Sequence, residues 1–274
     1  MSRGGNTTKN RTVGSSATRL FRRVFGSLPN IEQAGAGNVE IILEKDSTRL
    51  DLRGQQLKFI PNEINTYHQL TWMQLSQNQI DILPEWIGNL VNLKILRLFA
   101  NNLRKFPAEI GLLTNLSTLD VGKNSLEEIC VEIGNCSALT ELNLQWNRIS
   151  HLPVEIGNLK KLKTLNLYIN QLSYLPESFC NLIELEVLDL AHNKLLDLPP
   201  YLGSLLSLTT LNLVANGCKE LPDQLGLLLL FFLLFFFFFL LFLSSFLLLF
   251  LSSSPLISFS LSLSASPFFF SIAN

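Results

Sequence analysis

Apolar residues return at a fixed interval between Leu70 and Leu221. Successive segments follow the pattern Leu-x-x-Leu-x-Leu-x-x-Asn-x-Leu-x-x-Leu-Pro, with other apolar residues at some of the leucine positions. Each segment begins 23 residues after the one before, at Leu70, Leu93, Leu116, Leu139, Leu162, Leu185 and Leu208. A fixed period of this length is typical of a solenoid, in which each repeat forms one coil that packs on its neighbours. The pattern therefore predicts a long binding surface rather than a catalytic pocket.

Each coil is predicted to contain two elements. The alternation in Leu142-Asn143-Leu144 indicates a short strand, and stacked coils then form a parallel sheet. The return segment 152–159, Leu-Pro-x-Glu-Ile-Gly-Asn-Leu, predicts a short helical or irregular turn. Pro153 suits the first helical position, and Gly157 allows a turn that a side chain would hinder. Residues 47–69 form a weaker eighth coil, with Gln55 at the asparagine position. The predicted fold is an α/β solenoid of about eight repeats, a curved horseshoe with its parallel sheet on the concave face.

One polar residue recurs where the chain turns into the core. An asparagine amide carries two donor hydrogens and an acceptor oxygen, enough to satisfy the backbone groups of the turn and of the next coil. We expect these asparagines to form a structural ladder rather than a functional site. They are Asn78, Asn101, Asn124, Asn147, Asn170, Asn193 and Asn216.

The cysteines replace small or apolar residues of the repeat. Cys136 and Cys218 stand in leucine columns, Cys180 stands at a glycine position, and Cys130 stands at the proline after the last leucine. Small buried hydrophobic residues substitute in this way, so we expect free thiols in a reducing compartment rather than disulfides.

Aromatic side chains are expected on the concave face, because the residues that alternate with the strand leucines point to solvent. Aromatic rings beside an arginine are the residue types that carry most binding energy at interfaces. The alternative is that the rings pack on neighbouring coils and only roughen the surface. Asp120 is expected to form a surface ion pair with Arg97. The candidate partner-binding residues are Trp72, Arg97, Phe99, Trp146, Tyr168 and His192.

Charge and motifs exclude several classes of function. The formal net charge of −1 is a cancellation between a basic amino-terminal segment and an acidic middle, and it favours neither nucleic acid nor an acidic partner. There is no phosphate-binding loop, nucleophile elbow or His-Glu-x-x-His motif, and the three histidines fall at different repeat positions. We therefore expect a non-enzymatic protein without a cofactor or metal.

Over residues 47–228 the chain resembles the intracellular leucine-rich-repeat proteins of the Ras-suppressor group and the plant Ras-group proteins, and Scribble and Erbin have similar repeats. The Leu-Pro-x-Glu-Ile-Gly-Asn-Leu segment carries this resemblance. It implies a cytoplasmic scaffold in signal transduction, whose concave face binds a Ras-like GTPase or a phosphatase or kinase complex. The shared residues are the buried frame, so the partner is an expectation from family likeness alone.

The amino-terminal 46 residues precede the repeats. Residues 1–30 contain six basic and no acidic residues and are expected to be a disordered tail, while residues 31–46 are predicted to form an amino-terminal cap. One helical face with arginines around it contains Leu20, Phe21, Val24 and Leu28. An amphipathic membrane-surface helix and a mitochondrial transit peptide therefore remain open alternatives for this tail.

Residues 229–274 are predicted to be a hydrophobic low-complexity tail. Between Leu227 and Leu251 only Ser244 and Ser245 interrupt the apolar residues, and a helix of this length spans about 37 Å, enough to cross a membrane core of about 30 Å. One interpretation is a membrane anchor over 227–251 with the repeats facing the cytosol. The other is a translated intron, because Phe, Leu, Ser and Pro can all be encoded by pyrimidines. In that case the native protein is longer, and an alternative function for the chain is the recognition part of a larger immune or kinase protein.

Overall fold

Short strands stack into one parallel sheet. The computed structural model describes residues 33–34, 38–39, 47–218 and 270–271. Strands β1 (Gln33–Ala34) and β2 (Asn38–Val39) form an antiparallel pair. The strands of the parallel sheet are β3 (Arg49–Asp51), β4 (Trp72–Gln74), β5 (Ile95–Arg97), β6 (Thr118–Asp120), β7 (Glu141–Asn143), β8 (Thr164–Asn166), β9 (Val187–Asp189), β10 (Thr210–Asn212) and β11 (Phe270–Ser271). From β3 to β10 the sheet order is the chain order, which confirms the predicted solenoid.

The sheet register repeats at every step. Leu50 pairs with Met73, and Met73 pairs with Leu96. Each of these side chains is at most 2% exposed, and each lies in a column of equivalent apolar residues along the solenoid. Burial of such side chains contributes roughly 25 cal/mol per Å² of apolar surface, so the leucine columns are the main source of stability. The strands begin one residue earlier than the predicted Leu142–Leu144 core, at Glu141 in β7.

The first seven coils each return through a five-residue 3₁₀ helix. Within residues 47–218 these helices are Asn62–Thr66, Glu85–Asn89, Ala108–Leu112, Val131–Asn135, Val154–Asn158, Glu177–Asn181 and Pro200–Ser204. Pro153 lies one residue before its helix rather than at the predicted first position, with extended backbone angles of φ −68° and ψ 153°. Its carbonyl oxygen accepts a hydrogen bond from the N–H of Ile156 at 3.1 Å. The proline therefore sets the direction in which the chain enters the helix.

The helix glycines are required for close contact between coils. A Cβ atom on Gly134 would lie 2.5 Å from the carbonyl oxygen of Glu155 in the next coil. A Cβ atom on Gly157 would overlap the carbonyl oxygen of Ser178 in the same way. Neither glycine is among the residues with positive φ. The physical reason for Gly157 is thus the packing distance to the next coil, and not the turn conformation that we expected.

Both predicted terminal segments lie outside the described residues. These are the basic tail (1–30) and the hydrophobic tail (229–274, with the possible anchor at 227–251), apart from the two residues of β11. The predicted amino-terminal cap, 31–46, is described only at β1 and β2. The domain boundaries at these ends remain predictions. Within the described ranges, no helix has the length and hydrophobicity needed to cross a membrane.

Candidate binding surface

One face of the sheet is open to solvent, and we call it the sheet face. It consists of the first and third residues of each strand from β3 to β10, and of the second and third residues after each strand. In β8, Thr164 and Asn166 are half-buried, whereas Leu165 between them is fully buried. This alternation places the candidate partner-binding residues on one surface.

The third strand residue caps the backbone that follows it. In seven of the eight coils its side-chain oxygen accepts a hydrogen bond from the N–H two residues later, as Asn166 does from Tyr168 at 3.0 Å. The seven residues are Asp51, Gln74, Asp120, Asn143, Asn166, Asp189 and Asn212. Arg97 is the exception, because a guanidinium group has no acceptor. Its side chain is exposed and does not perform the structural function of its column.

Asp120 is held by the backbone and by the neighbouring strand. Its Oδ1 atom accepts hydrogen bonds from the N–H of Gly122 at 3.1 Å and from Nδ2 of Asn143 at 3.0 Å. Burial raises the pKa of the Asp120 carboxyl, while these two bonds and the positive charge of Arg97 lower it by less. The ion pair expected between Asp120 and Arg97 does not form. Among the described residues, the ion pairs are Arg53–Asp51 at 3.0 Å and Lys163–Glu186 at 2.8 Å.

The repeated asparagines hydrogen-bond to the coil before them. Nδ2 of Asn101 donates to the carbonyl oxygens of Leu75 and Leu98 at 3.0 Å, and its Oδ1 accepts from the N–H of Ile80 at 3.0 Å. The same three bonds recur at the other six asparagines, as the hydrogen bonds of Asn170 illustrate. Apart from Leu98, these partners lie in the preceding coil, whereas we expected partners in the next one. The asparagines are therefore committed to the backbone and do not contribute to a site on the sheet face.

The residue before each asparagine adopts a left-handed backbone conformation, which the repeat pattern did not indicate. Trp146 has a φ of 56°, Ile169 of 51° and His192 of 56°. The full column comprises Gly54, Gln77, Ala100, Lys123, Trp146, Ile169, His192 and Ala215. This conformation is unfavourable for side chains in general and most of all for a β-branched one such as Ile169. The column has no common residue type, so only the fixed distance to the asparagine could have revealed it.

Three of the candidate residues form a continuous row, which we call the aromatic row. The Trp146 and Tyr168 rings have centroids 6.3 Å apart at an interplanar angle of 66°. The Tyr168 and His192 rings are 5.3 Å apart at 87°. These edge-to-face contacts hold the rings in fixed orientations across three coils. Trp146 nevertheless remains 51% exposed, so the row presents aromatic surface to solvent.

The other two aromatic candidates are separate from this row. Arg49 stacks on Trp72, with its guanidinium carbon 4.5 Å from the ring centroid. Phe99 lies above Gly122 of the next coil, where an added Cβ atom would come within 3.0 Å of the Phe99 ring. Packing on a neighbouring coil, the alternative that we considered for all these rings, is therefore found at Phe99, at Trp72 and within the aromatic row, where Trp146 still keeps half of its surface exposed. The structure thus divides the predicted surface into three parts.

A depression of about 430 Å³ lies on the sheet face. Arg97 and Phe99 form part of its wall, together with Arg53 of the first coil. Its lining also includes Thr118, Glu141, Asn143 and Asn166, which were not among the candidate residues. Thr118 and Glu141 are first strand residues, whereas Asn143 and Asn166 are third strand residues in the column of Arg97. These two columns of the repeat are the signal that could have identified them. The depression is open, and it adjoins the aromatic row at Asn166, whose side chain accepts a hydrogen bond from the N–H of Tyr168.

Comparisons with known proteins agree with this geometry. A sequence model described as "Leucine-rich repeat region" matches residues 130–228, and one described as "Leucine Rich Repeat" matches residues 69–90. The chain is a leucine-rich-repeat protein. A comparison with curated proteins gives no match.

Solved leucine-rich-repeat structures resemble the chain over about two thirds of its length. A leucine-rich-repeat protein of Leptospira interrogans is 31% identical, with a TM-score of 0.51, over 66% of this chain and 58% of that one. The ectodomain of the plant membrane receptor kinase GASSHO1/SCHENGEN3 from Arabidopsis thaliana, in complex with CASPARIAN STRIP INTEGRITY FACTOR 2, is 38% identical with a TM-score of 0.57, over 62% of this chain and 21% of that one. The plant peptide hormone receptor RGFR1 in complex with RGF2 is 30% identical with a TM-score of 0.55, over 69% of this chain and 39% of that one. The chain thus spans between a fifth and three fifths of these proteins.

The cysteines of the leucine-rich repeats are free thiols. Burial raises the pKa of Cys130 to about 11 and that of Cys136 to about 12. Cys136 is fully buried in its leucine column, and its Sγ lies 3.3 Å from the carbonyl oxygen of Ile110. Among residues 47–218, no group of His, Cys, Asp and Glu side chains is arranged to hold a metal ion.

Proposed function

We propose that the chain is a non-enzymatic scaffold of intracellular signal transduction, and that its sheet face binds a protein partner. The observation that carries the proposal is the aromatic row, in which exposed Trp146 and half-buried Tyr168 lie on the same face as Arg97. Tryptophan, tyrosine and arginine are the side chains that contribute most energy at protein interfaces. None of the three is required by the repeat, since other coils have small or polar residues in the same columns.

We infer the class of partner from family likeness. The resemblance to Ras-suppressor repeats supports a Ras-like GTPase or a phosphatase or kinase complex as the partner, and we propose a cytoplasmic location on the same ground. A membrane-anchored adaptor held by residues 227–251 is the alternative location. Fractionation of cells that express the chain with and without residues 227–274 distinguishes the two, because only an anchored chain moves to the membrane fraction when the tail is present.

A second function is supported by the comparisons. Two of the similar structures are receptors in complex with other molecules, and this chain spans 21% and 39% of their lengths. We therefore propose as the alternative that the repeats are the recognition part of a longer immune or kinase protein. Sequencing the transcript across the codon for Gly226 tests this alternative, because it requires further coding sequence in place of the hydrophobic tail.

Partner capture tests the binding surface. Proximity labelling with the full chain identifies partners, and capture of the strongest one is repeated with the double variant Trp146→Ala/Tyr168→Ala. The matched control is Phe59→Ala/Tyr174→Ala, which removes two aromatic rings that are 56% and 54% exposed away from the sheet face. We expect the first variant to lose capture and the second to retain it. Equal capture by both variants would contradict the proposal.

A further inference from the structure

The charges of the sheet face are separated along the solenoid. Its first three coils contain three arginines, Arg49, Arg53 and Arg97, and a single acid, Asp51. Between β7 and β10 the same positions contain two acids, Glu141 and Asp189, and neither lysine nor arginine. The coil of β6, which lies between these two parts, contributes one acid, Asp120, and one base, Lys123. The face therefore has an excess of positive charge in its first three coils and of negative charge between β7 and β10. Such a separation selects partners with the opposite arrangement of charge.

Two of the three arginines are available to a partner. Arg49 is stacked on Trp72, but Arg97 is exposed and forms no ion pair among the described residues. Arg53 forms a pair with Asp51, and half of its side chain remains exposed. Both Arg53 and Arg97 lie on the wall of the depression, which Asp120 and Glu141 also line. Asp120 accepts hydrogen bonds from Gly122 and Asn143 instead of pairing with Arg97, so Arg97 can pair with an incoming carboxylate.

The aromatic row offers the complementary site. Trp146 is half exposed, and among the described residues no cation stacks on it, in contrast to Trp72. Glu141 is the first residue of the strand that leads to Trp146, and Asp189 is paired with Asn166 across β8 and β9. Lys163, which precedes β8, is already paired with Glu186. An incoming cation would therefore meet the Trp146 and Tyr168 rings, with Asp189 on the strand next to the one that Tyr168 follows. The basic residue of the sheet face in this part of the solenoid is Lys123, in the coil before Trp146. Cation–π attraction is strongest on tryptophan.

We propose that the sheet face binds an extended segment of a partner protein that contains one basic and one acidic residue. The lysine or arginine stacks on Trp146 and Tyr168, and the acidic residue pairs with Arg53 and Arg97. The proposal rests on the proposed function, since it names the chemistry of the segment that the same face recognises. The polar residues Thr118, Asn143 and Asn166 lie between the two ends, where they can hydrogen-bond to the backbone of the segment.

The spacing of the strands sets the spacing of the two charges. Arg97 ends β5, while Trp146 follows β7 and Tyr168 follows β8, so the sites are two to three strands apart. At about 4.8 Å per strand this is roughly 10–14 Å, which an extended segment covers in about three or four residues at about 3.3 Å each. The recognised pattern is thus an acidic and a basic residue separated by two or three others, in one chain direction or the other.

Labelled peptides test this pattern with the full chain. We would measure fluorescence anisotropy for a Ser/Ala peptide with one Glu and one Arg at this spacing, and for the reversed order. Comparison peptides contain citrulline in place of Arg, or Gln in place of Glu. We expect at least one chain direction to bind, and the citrulline peptide to bind about tenfold more weakly. Failure of both charged peptides to bind at concentrations up to about 1 mM would overturn the proposal.

Variants assign each charge to its site. Trp146→Leu keeps apolar bulk but removes the aromatic ring, so it should weaken the Arg peptide about tenfold and leave the citrulline peptide unchanged. Arg97→Gln should weaken the Glu peptide and leave the Gln peptide unchanged, and Phe59→Leu is the control away from the sheet face. Equal loss for charged and neutral peptides would overturn the charge assignment. If the alanine double variant loses its protein partner while the peptides show no charge preference, the proposed function stands and this inference fails.

Discussion

Nδ2 of Asn143 donates a hydrogen bond to Oδ1 of Asp120 across two neighbouring strands, at 3.0 Å. Both residues occupy the column in which a side chain caps the backbone two residues later. Asparagine and aspartate therefore serve the same structural purpose at adjacent positions, and only one of them carries a charge. Replacing Asp120 with asparagine therefore measures how the charge of its carboxylate affects the free energy of unfolding.

Asp120→Asn should stabilise the protein at neutral pH. The asparagine oxygen can accept both hydrogen bonds of Asp120, and the substitution removes a partly buried charge. Because the folded-state pKa of Asp120 is raised, the native protein loses stability as the pH rises through that pKa. The gain of the variant in urea denaturation should therefore be present at pH 7 and disappear below the ordinary carboxyl pKa of 3.8. A gain that increases as the pH falls would mean that the charge stabilises the fold.

Arg97→Asn should also stabilise the fold. It would supply the acceptor that seven other coils have in this column, and a typical hydrogen bond contributes about 0.5–1.5 kcal/mol. The control is Arg148→Asn, which removes an exposed arginine from a loop. Equal unfolding midpoints for the two variants would show that the column does not require a cap in this coil. A gain in stability with a loss of partner capture would show that Arg97 is present for binding.

Gly134→Ala should destabilise the protein by about 1–3 kcal/mol. The new Cβ atom would lie 2.5 Å from the carbonyl oxygen of Glu155, so the two coils would have to move apart. Thermal unfolding measures the loss. Cys180→Ala is the matched control, since this residue stands in the glycine column and already has a Cβ atom. A Gly134→Ala variant as stable as the control would mean that the stacking of the coils adjusts at no cost.

The thiols should react slowly with iodoacetamide in the native protein. Only the thiolate reacts, and a pKa of about 11 for Cys130 leaves about a hundredfold less thiolate at pH 8 than the ordinary value of 9.0 does. Cys136 should react still more slowly, since its pKa is about 12 and it is fully buried. Mass spectrometry of labelled peptides measures each site, and protein unfolded in urea provides the fast reference. Rapid labelling of Cys136 in native protein would indicate that the coil opens.

The parts of the fold that repeat in sequence could be predicted, because the same apolar positions are buried in every coil. The leucine columns follow directly from the period, and so does the positioning of the strands. The contacts of the sheet face could not be predicted in the same way, because each depends on one pair of residues in adjacent coils. Arg49 precedes Trp72 by one exact period, so alignment alone would have found that stacked pair. Phe99 contacts the next coil because Gly122 has no side chain there, and the repeat pattern did not indicate this contact.

The hydrogen bonds of the repeated asparagines run back along the chain, to residues that are synthesised earlier. Asn101 requires the N–H of Ile80 and the carbonyl oxygen of Leu75, groups that the ribosome has already produced when Asn101 emerges. The side chain of each new asparagine thus meets backbone groups that are already made, whereas backbone N–H groups of the same coil, such as that of Leu98, donate to the coil that follows, here to the carbonyl oxygen of Asp120. Synthesis from the amino terminus and assembly of the solenoid can therefore proceed in the same order, one coil at a time.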